Sequence, residues 1–307
     1  MRIGIAILPD ERWSVASGRW RRAEEYGFDH AWTYDHLGWR DLVDGPWFDA
    51  VPTLTAAATV TRRIRLCTYV ASPNFRHPVP FAKDVMGLDD ISGGRFVLGV
   101  GGGGEGFDAT VTGDPPTRGE RTRRFEEFVG LLDQLLTQPV TSHQGEFYRA
   151  DQARMIPGTI ARPRTPFVVA ANGPRAMALA ARYGQGWATY GPAYATEDVP
   201  DDPSAAQEQW WTGLATMLEQ LDAIEATARA VREAPLRRYL SLDGAPIFSM
   251  TSVDLVTEGI ERAAGLGFSD VVVHWPRADG IYAGSESVLE GLASRLPELR
   301  ALPVAPR

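Results

Sequence analysis

The sequence predicts an α/β fold, a (β/α)8 TIM barrel, over its 307 residues. Short apolar runs alternate with longer amphipathic ones, which is typical of βα units in a parallel sheet. Eight runs of each kind are present, enough to close a barrel. Three segments repeat one pattern, in which a glycine needed for a left-handed cap follows a helix and the chain then enters a strand: EYGFDHAW, RYGQGWAT and GLGFSDVVV. We therefore expect one barrel domain that spans residues 1–307.

The periodicity of apolar residues predicts the elements in order. Strands are expected at residues 2–8, 30–33, 64–70, 96–101, 167–171, 186–188, 238–241 and 270–275. Helices are expected at residues 12–26, 48–61, 79–91, 118–136, 174–183, 207–232, 252–266 and 287–296. Three insertions interrupt the barrel after the second strand, the fourth helix and the sixth strand, at residues 38–47, 139–166 and 190–206. The second reads as a small hairpin around His143, and the third, acidic and rich in proline, as a mobile loop or lid.

Composition excludes several classes of function. The net charge is −8 and no basic stripe is present, which argues against a nucleic-acid partner. The single cysteine, Cys67, lies in an apolar run, so we expect a buried side chain and no internal disulfide. Because no eighteen apolar residues run together and no leader pattern is present, we expect a cytoplasmic protein without a membrane segment.

Candidate site residues follow the strands, because the chemistry of a TIM barrel lies at the carboxyl ends of its strands. Four glycines at residues 101–104 leave backbone N–H groups bare beside Glu105, and glycine permits close approach of a ligand. The run AANGPRA places three further residues at a helix start, where free amides favour an anion: Asn172, Gly173 and Pro174. The two loops together predict a cofactor seat. A flexible surface loop and an ordinary helix start are the alternatives.

Asp35 and His36 follow the second strand and are candidates for proton transfer. A histidine suits that task near neutral pH, beside a hydride transfer between two carbons. Taken alone, Asp35 and His36 are more typical of a strand-end cap with a hydrogen-bonded imidazole than of a catalytic pair. A metal site of His30, Asp35 and His36 is not favoured, because no carboxylate and histidine set recurs at ligand spacing. His274, at the end of the eighth strand, either faces the substrate or is structural.

Several motifs together resemble the luciferase-like flavin-dependent oxidoreductase superfamily, and within it the branch that uses the deazaflavin coenzyme F420. The matching segments are AEEYGFDHAWTYDH, RIRLCTYVASPNFRHP, FAKDVMGLDDISGGRFVLGVGGGGE, RGERTRRFEEFVGLLDQLL, GEFYRA and PFVVAANGPRAMALAARYGQGW. They cover most of residues 1–190 in the order of the family. The stretch LDDISGGRFVLGVG is highly specific for this family.

The resemblance implies roles for individual residues. His36 is expected to donate or accept the proton beside the reacting carbon, and Glu105 to be a second acid or base. Residues 69–72 match a bulge of the family, often with a non-prolyl cis peptide, that presses on one face of the cofactor ring. The residues expected to hold the ring or its phosphate-bearing tail are Asp35, Val70, Ala71, Ser72, Gly103, Gly104, Asn172, Gly173, Pro174, Ala176 and Met177.

The resulting prediction is an oxidoreductase that transfers a hydride between F420 and a small carbonyl, imine or activated alkene. Trp39, Tyr190 and Trp275 are expected to line the substrate pocket, with a local mini-core or a subunit contact as an equal alternative. The acidic loop after the sixth strand and the presence of only one lysine, Lys83, argue against a sugar phosphate. The alternatives are an FMN-dependent monooxygenase supplied by a partner reductase and a non-catalytic flavin-binding protein. We also expect a homodimer.

Overall fold

Eight parallel strands close into a barrel in the computed structural model, which describes residues 1–113, 115–228 and 234–307. The barrel strands are β1 (Arg2–Ala6), β2 (His30–Thr33), β3 (Arg65–Thr68), β4 (Phe96–Gly101), β7 (Phe167–Ala170), β8 (Gly186–Thr189), β9 (Arg237–Ser241) and β10 (Asp270–His274). Each strand pairs with the next one in the barrel, and β10 closes the ring on β1. The predicted (β/α)8 barrel is confirmed.

Helices cover the outside of the barrel. They are α1 (Trp13–Tyr26), α2 (Ala50–Val60), α3 (Pro78–Ile91), α4 (Phe107–Thr110), α5 (Arg118–Thr137), α6 (Pro174–Tyr183), α7 (Pro203–Ala228), α8 (Val253–Leu266) and α9 (Glu286–Arg300). α7 begins at Pro203 rather than at the predicted Gln207, and residues 229–232 of that predicted helix lie outside the described residues. The one-turn helix α4 is an addition to the predicted set.

Local signals in the sequence fix several helix ends. α5 begins at a capping box, in which the Thr117 side chain accepts from the N–H of Glu120 and the Glu120 carboxylate accepts from the N–H of Thr117. Gly27 and Gly267 end α1 and α8 in the left-handed conformation, with φ of 92° and 95°. Gly184, the third glycine of the repeated pattern, ends α6 with φ of −81°, so the left-handed cap predicted there is wrong.

The barrel interior is a packed core rather than a channel. Each strand contributes one side chain to a cluster inside the barrel: Ala6, Trp32, Cys67, Val97, Val168, Ala188, Tyr239 and Val272. The ring of His30 occupies the space that a side chain on Gly4 would fill. Its Nδ1 accepts from Nε1 of Trp32 at 2.6 Å, and its Nε2 is 3.2 Å from Asp270. His30 is therefore a satisfied core histidine, and Cys67 is buried as expected.

The insertion after α5 forms the predicted hairpin, with antiparallel strands β5 (Val140–Gln144) and β6 (Arg149–Arg154). Glu127 of α5 anchors it, because its carboxylate accepts from the N–H groups of Phe147 and Tyr148 at 2.9 and 2.8 Å. Nε2 of His143 is 3.1 Å from the same carboxylate, which gives that histidine a structural role. In the part of the chain that the structure describes, no helix combines the length and the apolar character needed to span a bilayer.

Replacing Glu24 by glutamine is expected to lower the free energy of unfolding by about 1–3 kcal/mol at neutral pH. The Glu24 carboxylate accepts from the backbone N–H groups of Arg62, Arg63 and Ile64 at 2.6–2.9 Å and so fixes the entry to β3. Burial opposes ionisation, but these donors outweigh it and lower the pKa of Glu24. Urea unfolding of the variant, with the exposed neighbour replaced in Glu25→Gln as control, measures the loss.

The lowered pKa of Glu24 gives this effect a definite pH dependence. The stabilisation is full above the ordinary glutamate pKa of about 4.3 and is lost as the pH falls through the lower pKa of the folded state. The difference between wild type and Glu24→Gln should therefore shrink below about pH 4. A difference that stays constant into strong acid would contradict this account.

Candidate active site

The imidazole of His36, beyond the end of β2, is held by a carboxylate from α4. Nδ1 of His36 is 2.5 Å from Oδ2 of Asp108, and the N–H of Leu37 donates to Oδ1 of the same carboxylate at 2.7 Å. The side chain of Asp108 is 6% exposed. Because a carboxylate only accepts hydrogen bonds, Nδ1 carries the proton, and Nε2 is the basic nitrogen of the neutral ring. The pair is arranged to exchange a proton through Nε2.

Aromatic side chains surround His36. The ring centroid of Trp39 is 4.7 Å from that of His36, and the ring centroid of Tyr34 is 5.7 Å from it. Tyr34 is buried and also contacts Tyr69 from the loop after β3, at 5.4 Å. Nε1 of Trp39 is buried and has no hydrogen-bond partner among the described residues. A buried donor without a partner is costly, and Nε1 of Trp39 differs from the other unpartnered indole nitrogens, those of Trp20 and Trp275, in lying on the ring that contacts His36.

The loop after β3 packs directly against β4. The peptide bond between Tyr69 and Val70 is cis, as the resemblance implies. Ala71 continues the ladder, because its N–H donates to the carbonyl of Gly99 at 2.9 Å and its carbonyl accepts from Gly101 at 2.8 Å. A Cβ on Gly101 would lie 2.7 Å from Cγ2 of Val70. The structure thus brings the predicted bulge and the glycine run together at one edge of the barrel.

The glycine run itself is only partly open to a ligand. Gly103 has a φ of 73°, and a Cβ there would lie 2.6 Å from Oδ1 of Asn74. Asn74 also donates from Nδ2 to the carbonyl of Gly104 at 3.1 Å. The sequence interpretation, in which these glycines make room for a ligand, is therefore corrected at Gly101 and Gly103, whose space is taken by protein. At Gly104 a Cβ would meet only the amide nitrogen of Gly106, at 3.9 Å, so the backbone there stays open.

Two residues expected near the cofactor ring are buried in protein contacts. The side chain of Asp35 is 1% exposed and accepts from Nη2 and Nε of Arg76 at 2.5 and 3.2 Å. Burial raises the pKa of the Asp35 carboxyl, against the effect of the Arg76 guanidinium. Nη2 of Arg76 also donates to Oδ2 of Asp49 at 2.7 Å. Ser72 is 2% exposed, and its hydroxyl oxygen is 3.4 Å from the N–H of Asn74. Asp35 therefore ties the end of β2 to the loop after β3.

Glu105, the predicted second acid or base, lies on the exposed loop after β4. Its side chain is 77% exposed and forms an ion pair with Arg121 of α5 at 2.7 Å. Asp108, three positions further along the chain, is the carboxylate that reaches His36. The structure therefore places Glu105 in an exposed ion pair and gives His36 an acidic partner, Asp108, that the motifs do not indicate. The apolar periodicity of the sequence could not predict Asp108 as a site residue, because α4 is a single helical turn and too short to show a period.

The start of α6 forms the other predicted part of the cofactor seat. Gly173 is the N-cap and Pro174 the first helical residue, and no side chain caps the helix. A Cβ on Gly173 would meet nothing within 4 Å. The side chain of Asn172 is used within the protein, since Nδ2 donates to Gly191 at 2.9 Å and Oδ1 accepts from Thr189 at 2.8 Å. The open groups at this site are thus the backbone amides of the first helical turn.

The remaining predicted residues lie in three different environments. Ala176 is half-buried on the first turn of α6, whereas Met177 is fully buried in the core, so its side chain does not face a ligand. Tyr190 is on the rim after β8 and is 58% exposed. Trp275 is 3% exposed and stacks on Tyr26 of α1, with ring centroids 6.4 Å apart. The prediction that Trp275 lines the substrate pocket is therefore wrong, because its ring packs between the barrel and a helix.

These elements fit a ligand with a polar ring and an anionic tail. The open backbone at Gly104 and Gly173 and the uncapped start of α6 offer N–H groups and a favourable helix dipole to an anion. The unpartnered Nε1 of Trp39 and the basic Nε2 of His36 lie together at the same end of the barrel. A flavin or deazaflavin, which has a polar ring and an anionic tail, fits these N–H groups and this imidazole.

A comparison with protein families identifies the lineage of this site. The luciferase-like monooxygenase family matches residues 1–242. The chain belongs to this family. The family prediction made from the motifs is therefore confirmed, and with it the assignment to a family of enzymes.

Two curated relatives of this luciferase-like chain are oxidoreductases by name. A 5,10-methylenetetrahydromethanopterin reductase from Archaeoglobus fulgidus is 30% identical over 234 residues, which are 75% of this chain and 63% of that protein. An F420-dependent glucose-6-phosphate dehydrogenase from Beutenbergia cavernae is 32% identical over 317 positions and covers 91% of both chains. The match to the first thus spans less than two thirds of its length. The second relative acts by name on a sugar phosphate. The relatives therefore do not support the exclusion of a sugar phosphate substrate that the sequence suggested.

A solved structure supports the fold of this luciferase-like chain. The monooxygenase RslO1 from Streptomyces bottropensis superimposes with a TM-score of 0.76 and 21% sequence identity, over 98% of this chain and 100% of the other. At that level of identity the likeness shows the fold alone.

Proposed function

We propose that this protein transfers a hydride between coenzyme F420 and a small organic substrate, with His36 as the group that moves the accompanying proton. The observation that carries the proposal is the His36–Asp108 pair at the carboxyl end of β2, where Nε2 remains basic and Nδ1 is fixed at 2.5 Å. The F420-dependent relatives at 30% identity or more favour the deazaflavin over FMN. F420, when bound, supplies a ring carbon that accepts or gives up a hydride.

The residues of this chain supply position, charge and a proton. The backbone amides at the start of α6 and at Gly104 would hold the phosphate-bearing tail. Nε1 of Trp39 would donate to a ring or substrate oxygen, because it has no other partner. His36 would exchange one proton through Nε2 while Asp108 stabilises the charged imidazole. Asp35 and Arg76 would keep the loop after β3 in place beneath the ring.

The rim indicates the class of substrate. Leu37, Phe107 and Val111 are exposed apolar side chains beside the His36–Asp108 pair, with exposures of 39%, 41% and 49%. Four acidic residues on the loop after β8 are also exposed: Glu197, Asp198, Asp201 and Asp202. An apolar lip and an acidic rim suit an uncharged carbonyl, imine or activated alkene better than a sugar phosphate, which needs cations.

An FMN-dependent monooxygenase is the alternative, which the name of the matching family favours. It would share the same barrel, the same imidazole and the same backbone amides. It differs in needing oxygen and a reductase that supplies reduced flavin. A titration and an oxygen electrode separate the two reactions.

Equilibrium titration followed by absorbance is expected to give saturable binding of F420 and at least about tenfold weaker binding of FMN. Gly173→Ala should weaken F420 binding by about tenfold with only a small loss of thermal stability, because the added methyl has open space in the free protein and only the N-cap preference of α6 is affected. Gly87→Ala is the matched control, since that glycine also has open space but lies on α3. Anaerobic assays with F420H2 should then consume 2-cyclohexen-1-one and leave glucose 6-phosphate untouched with oxidised F420.

Tight FMN binding without F420 binding, together with oxygen uptake, would replace the proposal by the monooxygenase. Turnover of glucose 6-phosphate would overturn the substrate class alone. An unchanged F420 affinity in Gly173→Ala would show that the tail lies elsewhere.

A further inference from the structure

A continuous chain of hydrogen bonds runs from a buried carboxylate after β9 toward the site. The Asp243 side chain is 0% exposed, and its Oδ2 is 2.7 Å from the backbone N and 2.8 Å from Nδ1 of His274. Nε2 of His274 is 2.9 Å from the hydroxyl of Tyr34. That hydroxyl is in turn 2.9 Å from the hydroxyl of Tyr282. Four side chains from different parts of the barrel thus form one path.

The chemistry of the acceptors fixes the direction of this chain. Asp243 only accepts, so Nδ1 of His274 carries a proton and Nε2 of the neutral ring accepts from Tyr34. The oxygen of Tyr34 then accepts from Tyr282. The hydroxyl proton of Tyr282 points inward, and its oxygen keeps a lone pair for one further donor. At rest, Tyr282 is therefore oriented to receive a proton.

The path is held rigidly at both ends. Oδ1 of Asp243 accepts from the N–H and the hydroxyl of Ser249 at 3.0 and 2.6 Å. The ring of Tyr282 stacks on that of His274, with centroids 3.8 Å apart and planes within 11°. Tyr282 has a φ of 63°, and its carbonyl accepts from the N–H of Arg277 at 2.9 Å. A bulky residue adopts that conformation only where its surroundings impose it, which occurs mostly at functional sites.

The path also ends beside the proposed reaction site. The ring of Tyr34 contacts His36, and the hydroxyl of the half-buried Tyr282 is hydrogen-bonded to the hydroxyl of Tyr34. The titratable groups that face His274 are Asp243, Tyr34, Tyr69 and Tyr282. Burial raises the pKa of the Tyr34 hydroxyl well above its ordinary value, so that hydroxyl passes a proton on rather than ionising. Reduction of a deazaflavin by an alcohol takes one proton from the hydroxyl group and adds one proton to the reduced ring. His36, in the charged form that Asp108 stabilises, would supply the proton to the ring, so a second group is needed to take the hydroxyl proton.

We propose that Tyr282 is a second catalytic residue, which takes the hydroxyl proton of a substrate alcohol and passes it through Tyr34 to His274. The proposal rests on the hydride transfer proposed above. As the C–H bond gives its electron pair to the cofactor as hydride and the C=O bond forms, the O–H proton moves to Tyr282. The proton of Tyr282 moves to Tyr34, and that of Tyr34 to Nε2 of His274, which becomes an imidazolium paired with Asp243. In the opposite direction Tyr282 protonates a carbonyl oxygen.

Binding of 4-nitrophenol to the cofactor-free protein tests the relay without turnover. At a pH below the pKa of this probe in solution, its transfer of a proton to Tyr282 should produce the coloured phenolate band. With histidine labelled by ¹³C at Cε1, the His274 signal should move to the imidazolium position on the same titration. Tyr34→Phe and Tyr282→Phe should each reduce the phenolate fraction at least about tenfold. Tyr183→Phe should retain the band, because its hydroxyl lies beside Gly130 outside the barrel.

Three results would overturn the relay: no phenolate band in the wild type, an equal band in Tyr34→Phe, or an unmoved His274 signal. Circular dichroism of each variant shows that a lost band does not come from unfolding. Because the probe needs no cofactor, a phenolate band in a protein that fails to bind F420 would leave the relay standing and remove the cofactor proposal. F420 binding without the band would do the reverse.

Discussion

Replacement of His36 by asparagine is expected to reduce single-turnover oxidation of F420H2 by 2-cyclohexen-1-one by about 10²–10⁴-fold and to leave F420 affinity nearly unchanged. The imidazole is the basic group at the end of β2, and its Nε2 forms no hydrogen bond with the residues that the structure describes. Hydride transfer without a positioned proton donor must wait for solvent. Stopped-flow absorbance measures the rate, and equilibrium titration measures the affinity.

Asp108→Asn is expected to lower the same rate by about tenfold or more, because an amide no longer holds the imidazole in one tautomer or stabilises its charged form. Added imidazole should restore part of the activity of His36→Ala, an effect that a purely structural role of the side chain would not give. His143→Asn is the control, since that imidazole pairs with Glu127 on the hairpin. Binding of F420 by wild type without any turnover that depends on His36 would favour the non-catalytic flavin-binding alternative.

The fold was predictable because its signals are local and repeated. Apolar strands alternate with amphipathic helices around the eight-stranded barrel, and a connecting glycine follows three of the helices. Thr117 and Glu120 form a capping box that is visible in the sequence at the start of α5. α4 was not predictable, because one turn of helix carries no periodicity. The prediction of a left-handed cap at Gly184 was wrong, because glycine permits a left-handed conformation but does not require it.

The site was predictable only to the extent that its residues lie next to a strand end. His36 and the cis bond after Tyr69 follow from motifs, and both lie where the motifs indicate. The partners of these groups come from distant parts of the chain. Asp108 reaches His36 across 72 positions, and the relay joins Tyr34 to His274 across 240. No local pattern encodes such pairs, because they depend on the closure of the barrel. Trp275 failed as a pocket residue for a related reason, since one position along a strand separates the two faces.

Gly99→Ala is expected to lower the free energy of unfolding by about 3 kcal/mol or more, the largest effect on stability that we predict. A Cβ on Gly99 would overlap the carbonyl oxygen of Thr68 and would lie 3.1 Å from the ring of Trp32. The carbonyl of Gly99 also accepts from the N–H of Ala71 at 2.9 Å, so the strand cannot shift without losing that bond. Both obstacles are parts of the barrel wall, and neither is the flexible end of a side chain.

Gly99 and Gly173 therefore lack a side chain for two different reasons. Gly99 is needed by the protein itself, so Gly99→Ala should unfold at a lower temperature by roughly 6 °C or more, with or without F420. Gly173 is open, so Gly173→Ala should unfold within a few degrees of the wild-type temperature in the free state and should gain less stabilisation from F420 than wild type does. Differential scanning calorimetry of both variants, each with and without F420, distinguishes these outcomes. A wild-type unfolding temperature for Gly99→Ala would mean that β3 and β4 are not packed as closely as the contacts at Thr68 and Ala71 require.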